Sequence, residues 1–348
     1  MPSSPWAGRS TPSSLHRDEH ERPPSDRAVN GPRLIVQKFG GTSVSDAGRI
    51  RLCAQRAVDA ARTGDRVAVV VSAMGRTTDA LLRTAMEIDA SPPARELDQL
   101  LAAGEQVSVA LTAIAINALG GTAVGLDARQ AGISVDGPHG RSRIGRIDTS
   151  RIESVLSQGR IAVVAGFQGE LDSGDRATIG RGGSDTTAVA LAVTLGADLC
   201  EIYTDTLGVM TADPAIVPEA RRIETLAWPA MTALSRHGAR VLAIDAAEMA
   251  QAARLPVRVR HAALAGEGTL VEADAWPAGP IACASSRHDT GSTIALIGRD
   301  LPANVRDEAH AALGPGADDE PDAIVLHSVP HARAASLLRE LHAAVGLA

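Results

Sequence analysis

Lysine and glycine stand together in Lys38-Phe-Gly-Gly-Thr-Ser43, directly after an apolar run and before a helical pattern. Consecutive glycines let a backbone approach a ligand closely and aim N–H groups at it. A helix N-terminus just beyond adds partial positive charge, so the turn suits a phosphate, with Lys38 supplying a full charge beside it. The spacing is not that of a Walker A loop, and a tight turn without a ligand is the competing reading. A second glycine loop, Gly180-Arg-Gly-Gly-Ser-Asp-Thr-Thr187, also lies between a strand-like segment and a helix. Arg181 offers a planar fork matched to carboxylate or phosphate. Asp185 only accepts hydrogen bonds and can hold a lysine ammonium. The plainer reading is that Ser184 or Asp185 caps the helix. Together the two loops would converge on one crevice at the carboxyl edge of a parallel sheet, a layout suited to phosphoryl transfer.

The elements that must position these loops alternate in type. Leu34-Ile-Val-Gln-Lys38 and Val67-Ala-Val-Val-Val71 are apolar strands of the kind buried on both faces. Between them Ala47, Ile50, Cys53, Ala54 and Ala57 fall at helical spacing. A helix from Thr78 to Asp89 ends at Pro92-Pro93, and helical pattern then runs to Ala118 with an interruption expected near Gly104. Strands at Ala123–Leu126, Ile161–Phe167 and Leu199–Thr204 alternate with helices at Thr149–Ser157 and Ser184–Leu195. This order predicts an α/β fold with a mostly parallel sheet between helical layers. After residue 272 the texture changes to strand, strand, helix, strand, helix: a small α+β module of roughly 70 residues. Residues 1–32 are rich in Pro, Ser, Arg, Asp and His and read as a disordered tail.

Composition narrows the function classes. The 348 residues carry 45% hydrophobic and 22% charged residues, an ordinary globular balance. No stretch is expected to reach the ~20 apolar residues of a membrane span, since Val109–Leu119 is interrupted by Thr112 and Asn117. A net charge of −7 and few aromatics argue against nucleic-acid binding. Cys53, Cys200 and Cys283 have no metal-like spacing and suit free thiols in a reducing, cytoplasmic setting. His327 and His331 lack a cysteine or acidic partner nearby, so packing or pairing is expected of them and no metal site is read.

In this order the residues resemble the aspartate kinases. Lys38-Phe-Gly-Gly-Thr-Ser43, Val71-Ser-Ala-Met-Gly75 with Thr78, Gly104-Glu-Gln106, Ala165-Gly-Phe-Gln-Gly169, Gly180-Arg-Gly-Gly-Ser-Asp185 and Tyr203-Thr-Asp205 carry the likeness. The resemblance implies the amino-acid kinase sandwich over residues 33–272, followed by a reduced ACT-like module over 273–348. It implies ATP and Mg²⁺ as cofactors and L-aspartate, or a related small acidic substrate, as acceptor. Residue by residue, Lys38 would contact the transferring phosphate and Asp185 would orient Lys38. Gly40, Gly41 and Ser72 would line the phosphates, with Thr204 and Asp205 by the nucleoside. Glu105 would take the substrate ammonium, while Arg181 and Thr78 hold its carboxylates with Ser184 nearby. On residue type alone, Glu105 reads as a solvated helix charge.

Departures from the pattern lie on the nucleotide side. In Gly208-Val-Met-Thr-Ala-Asp-Pro-Ala215, Met210 stands where the family has a tyrosine expected on adenine, and Ala215 where it has an arginine. Losing that charge-assisted contact costs on the order of 1.5–3 kcal/mol. Arg240 replaces a family lysine, keeping charge but changing geometry. A homodimer is expected, and feedback inhibition by lysine or threonine is expected to be weak or absent. The alternatives are a divergent amino-acid kinase acting on a related acidic substrate and a catalytically silent ligand-binding homologue.

Overall fold

Strand β1 (Leu34–Phe39) lies between two neighbours because four of its six residues are apolar, and even Gln37 is buried. In the computed structural model, which describes residues 31–239, 241–273 and 275–347, it heads the chain of regular elements. The tail reading for residues 1–32, apart from its last two positions, and the role given to Arg240 lie outside the described residues. A 3-10 turn (Gly41–Val44) leads from β1 to helix α1 (Ala47–Arg62), which Asp46 caps by accepting a hydrogen bond from the Arg49 amide at 2.9 Å. Then follow β2 (Arg66–Val71), α2 (Thr77–Ile88), α3 (Ala94–Ala118) and β3 (Ala123–Leu126). A short insertion, β4 (Ile133–Asp136) and β5 (Arg143–Ile147), precedes α4 (Ser150–Ser157) and β6 (Ile161–Ala165). Next come β7 (Gln168–Glu170), β8 (Arg176–Thr178), α5 (Gly183–Leu195) and β9 (Leu199–Thr204). Strand β10 (Thr225–Ala227), helices α6 (Trp228–Arg236) and α7 (Ile244–Ala253), β11 (Val257–His261) and β12 (Thr269–Ala273) complete this part.

The main sheet has the order β10-β12-β11-β9-β1-β2-β6-β3, parallel throughout except for the β11–β12 pair. Helices α1 and α3 cover one face, packing on Phe39, Val67, Val69 and Val71. The other face takes α4 through α7 on Val36, Ala68, Val70 and Ile202. The predicted three-layer α/β sandwich is therefore the fold, because consecutive strand residues point to opposite faces and both faces are apolar. A smaller sheet, β5-β4-β7-β8, sits beside it.

The last stretch forms β13 (Gly279–His288), β14 (Gly291–Arg299), α8 (Ala303–Leu313), β15 (Asp318–Glu320), β16 (Ala323–Val329) and α9 (His331–Ala344). Its sheet is antiparallel, ordered β13-β14-β16-β15. Ile294 and Leu296 join the cluster under α8 and α9, whereas Ala295 and Ile297 join the core shared with α6. That alternation is what a two-faced strand requires.

Two expectations change. Helix α3 runs unbroken through Gly104, because the glycine serves close packing: a Cβ there would lie 2.8 Å from the Ala73 Cβ. Helix α3 is also 25 residues long and apolar enough by length and composition to cross a membrane, since Thr112 and Asn117 dilute its Leu, Ile and Ala content too little. Half of its apolar window is buried inside the fold, as for a core helix. Strands β4, β5, β7, β10, β12 and β15 and helices α6 and α7 were not visible in the sequence pattern, which for the short strands is mixed in polarity, whereas β8 is the strand-like segment before the second glycine loop.

Candidate active site

Lys38 lies one residue before the end of β1, paired in register with Val70 of β2 and Ile202 of β9. Its Nζ is 2.6 Å from Asp185 Oδ1, and the two side chains are 12% and 14% exposed. Asp185 sits in the first turn of α5, where the helix dipole favours a carboxylate. The residue before that helix is Gly182 in the left-handed region (φ 75°), and no side chain caps it, so Ser184 and Asp185 are not caps. Ser184 is instead buried against Gly166, where a Cβ would lie 2.8 Å from its Oγ.

The turn after β1 is built tightly. The Ser43 and Val44 amides donate to the Gly40 carbonyl at 2.9 and 3.2 Å, and the Cys53 thiol of α1 donates to the Ser43 carbonyl at 3.1 Å. A Cβ on Gly41 would fall 2.9 Å from the Ala73 carbonyl oxygen, and the Gly75 amide donates to the Gly41 carbonyl at 2.9 Å. A Cβ on Gly40 would come within 3.3 Å of Lys38 Nζ. The first N–H groups of a helical turn have no partner behind them, so this turn presents donors next to an ammonium. Ser72, at the end of β2, donates its amide to the Phe39 carbonyl at 3.1 Å and so holds the two strand ends level.

Glu105 is the outlier in this neighbourhood. It lies on α3, 3% exposed, and its Oε1 accepts the Ala73 amide at 2.8 Å. Its Oε2 is buried with no hydrogen-bond partner. Burial pushes its pKa up to about 7, partly opposed by the Ala73 amide. The solvated-charge reading of Glu105 is thus overturned: an unsatisfied carboxylate oxygen in such a place calls for a cationic partner.

Arg181 is exposed in the loop between β8 and α5, with left-handed glycines on both sides (Gly180 φ 87°, Gly182 φ 75°). Among the described residues it makes no hydrogen bond or ion pair. Thr78 is half-buried in the first turn of α2. The second glycine loop follows β8, a strand of the small sheet, so only the first loop lies at the carboxyl edge of the parallel sheet. The two loops nevertheless meet, through the Lys38–Asp185 pair.

Thr204 ends β9, the neighbour of β1, Asp205 follows it, and the Thr204 hydroxyl donates to Asp205 Oδ1 at 3.1 Å. They open a cavity of about 690 Å³ that Met210, Ala215, Gly238 and Arg287 also line. Met210 pairs its backbone with Arg222 in an isolated bridge. Below this edge Glu201 accepts hydrogen bonds from Gln37 (2.9 Å), the Tyr203 hydroxyl (3.0 Å) and Arg260 (2.9 Å), pinning β1, β9 and β11 together. Tyr203 stacks on Phe39 at 4.6 Å, and burial beside Glu201 pushes its hydroxyl pKa up.

Sequence reasoning missed Asp98. It is buried on α3 seven residues before Glu105, on the same helix face. It meets His139 Nδ1 at 2.8 Å, the Gly140 amide at 2.9 Å and the Thr178 hydroxyl. It thereby anchors β8, the strand that feeds the Arg181 loop. The available signal was a second acid seven residues before Glu105, at the spacing that puts both on one helix face.

Residues 33–261 match the amino acid kinase family. The chain is 48% identical over 240 residues to the aspartokinase of Mycolicibacterium smegmatis, covering 69% of this chain and 57% of that protein. It spans little more than half the length of the curated relatives it matches. Aspartokinase III of E. coli, solved with aspartate and ADP, superposes with a TM-score of 0.80 at 21% identity, covering 90% of this chain and 99% of that one. Aspartate kinase from Synechocystis gives 0.63 at 29% identity, covering 90% and 69%. A parallel sheet carrying a lysine-bearing glycine turn, matched by that family over most of its length, places this chain in the amino acid kinase family.

Proposed function

We propose that the chain is an aspartate kinase, transferring the γ-phosphoryl group of ATP to the side-chain carboxylate of L-aspartate to give 4-phospho-L-aspartate and ADP. The observation that carries this reading is the buried, partnerless Oε2 of Glu105, held beside the strand ends where Lys38 and the glycine turn stand. An amino-acid ammonium is the cation that fits it. Support also comes from the 48% identical aspartokinase and from the aspartate and ADP named for the E. coli structure.

The chemistry needs little beyond charge and position. The acceptor carboxylate is already ionised, so its oxygen attacks the γ-phosphorus without a base while the bond to the bridging oxygen breaks and ADP leaves. Several negative charges must meet, and catalysis is their neutralisation in fixed geometry. Lys38 supplies a full charge, and Asp185 holds that ammonium in place. Gly40, Gly41 and Ser72 line the phosphates. Arg181 and Thr78 take the substrate carboxylates, with Ser184 nearby, and Thr204, Asp205 and Met210 border the nucleoside. Lys38 already occupies Asp185, so Mg²⁺ fits as a companion of the ATP phosphates, whose charge it neutralises when bound.

Residues 33–272 act in this reading as the catalytic unit and 273–348 as a reduced ACT-like module. The chain works in this reading as a homodimer, for which the ten-residue strand β13 lies at the edge of its sheet, partly covered where the Cys283 amide donates to the Thr211 carbonyl at 2.7 Å.

ADP release coupled to hydroxylamine trapping tests the proposal. Wild-type protein is expected to turn over L-aspartate. Lys38→Ala lowers kcat by roughly 10²–10³, the size of losing one transition-state donor. Arg181→Ala raises KM for aspartate by roughly tenfold or more, since a charge-assisted bond is lost. Turnover of another acidic amino acid but not aspartate would overturn the substrate, and no heat with Mg-ATP would overturn the enzyme.

A further inference from the structure

His237 follows the last residue of α6, with its backbone amide on the Ala233 carbonyl at 3.0 Å. Its side chain is only 7% exposed, and its Nε2 has no hydrogen-bond partner. Two carboxylates face that nitrogen, Oε2 of Glu320 at the end of β15 at 3.6 Å and Oδ1 of Asp322 in the turn before β16 at 3.8 Å. One ligand atom from each of the three residues lies within 4.8 Å of the other two.

Those distances separate two interpretations. A charged imidazole bonded to a carboxylate closes to about 2.7–2.9 Å, and neither contact does so. Two atoms bound at ~2.1 Å to one tetrahedral ion lie about 3.4 Å apart. Both observed separations are within a few tenths of an ångström of that edge. The spacing is that of atoms around an ion rather than of atoms sharing a proton.

We infer that His237 Nε2, Glu320 Oε2 and Asp322 Oδ1 form a binding site for a divalent transition metal, with water completing the shell. An imidazole among carboxylates selects zinc and its neighbours over Mg²⁺, which takes oxygen ligands. Arg236 supports the set: its guanidinium is 3.4 Å from the other Asp322 oxygen, Oδ2, which leaves Oδ1 turned to the site. The three ligands come from two parts of the chain. His237 belongs to the layer over the parallel sheet, and the carboxylates to the C-terminal sheet. Gly238, next in sequence, packs against Ser286 with no room for a Cβ, so the two parts already touch here. A bound ion would staple that junction.

Zinc chloride, titrated calorimetrically into the full-length chain after chelator treatment, tests the site. Binding of one zinc per chain is expected, unaffected by equimolar Mg²⁺, with a zinc-dependent rise in Tm. The double variant Glu320→Gln/Asp322→Asn, at two partly exposed positions, is expected to weaken binding by more than roughly tenfold and to lose the Tm rise. His237→Asn is expected to do the same, and the carboxylate variant stands alone if His237→Asn does not fold. Absence of zinc binding, or zinc binding that the double variant leaves unchanged, would overturn the site.

Discussion

Glu105 holds a charge in a place that resists it. Its folded-state pKa of about 7 lies above the ordinary 4.5, so the folded chain keeps the proton that the unfolded chain releases. Stability from this group is therefore present below pH 4.5 and lost as pH rises toward 7. Glu105→Gln removes the penalty while keeping an oxygen for the Ala73 amide. Denaturant titration is expected to find the variant more stable than wild type by up to about 3 kcal/mol at pH 8 and no different near pH 4. Aspartate turnover is lost in the same variant. In the wild type, KM for aspartate rises as pH falls below 7, because the protonated acid no longer attracts an ammonium; a flat KM from pH 8 to 6 would contradict the assignment. The thiols carry no such charge. Cys53, Cys200 and Cys283 are all buried, with Cys53 pushed up to about 12 by desolvation. A thiol reagent is expected to label none of them until the chain unfolds.

Helix α3 carries both Asp98 and Glu105 on one buried face. Its distance from the end of β2 is set by Gly104 against Ala73. Gly104→Ala adds a methyl group where 2.8 Å is available, so the helix must retreat and carry Glu105 with it. We expect a loss of about 1–3 kcal/mol in stability together with a weaker KM for aspartate. Adding Ala73→Gly returns the missing space, and KM should recover in the double variant; failure to recover would show that Gly104 acts otherwise. This glycine also shows what periodicity does not reveal. In sequence it looks like a break in a helix, and only the neighbouring Ala73 explains why a glycine is there.

At the scale of the molecule, the parallel sandwich and the antiparallel module share apolar surface. Ala282, Ala295, Ile297 and Val325 of the module pack in the same cluster as Trp228, Met231 and Leu234 of α6. Ile297 is fully buried, so Ile297→Ala should cost about 2–5 kcal/mol. Because the cluster spans both parts, we expect a single unfolding transition, shifted as a whole and seen alike by tryptophan fluorescence and far-UV circular dichroism. Two transitions, with only one of them shifted, would show that the module folds separately.

Local pattern was enough for the strand–helix alternation, the paired glycine loops, and Lys38, Arg181 and Asp185 as the groups to watch, since apolar periodicity and glycine placement are properties of neighbouring residues. The role of Glu105 came from family resemblance, because an acid on a helix looks the same whether it faces water or a pocket. Only tertiary structure brought Lys38 against Asp185 across 147 positions, buried Glu105 with one oxygen free, and recruited Asp98 to anchor β8. The same holds for His237 and the two carboxylates more than eighty residues away. Burial and long-range contact are set by how the layers stack, and no short window of sequence contains that information.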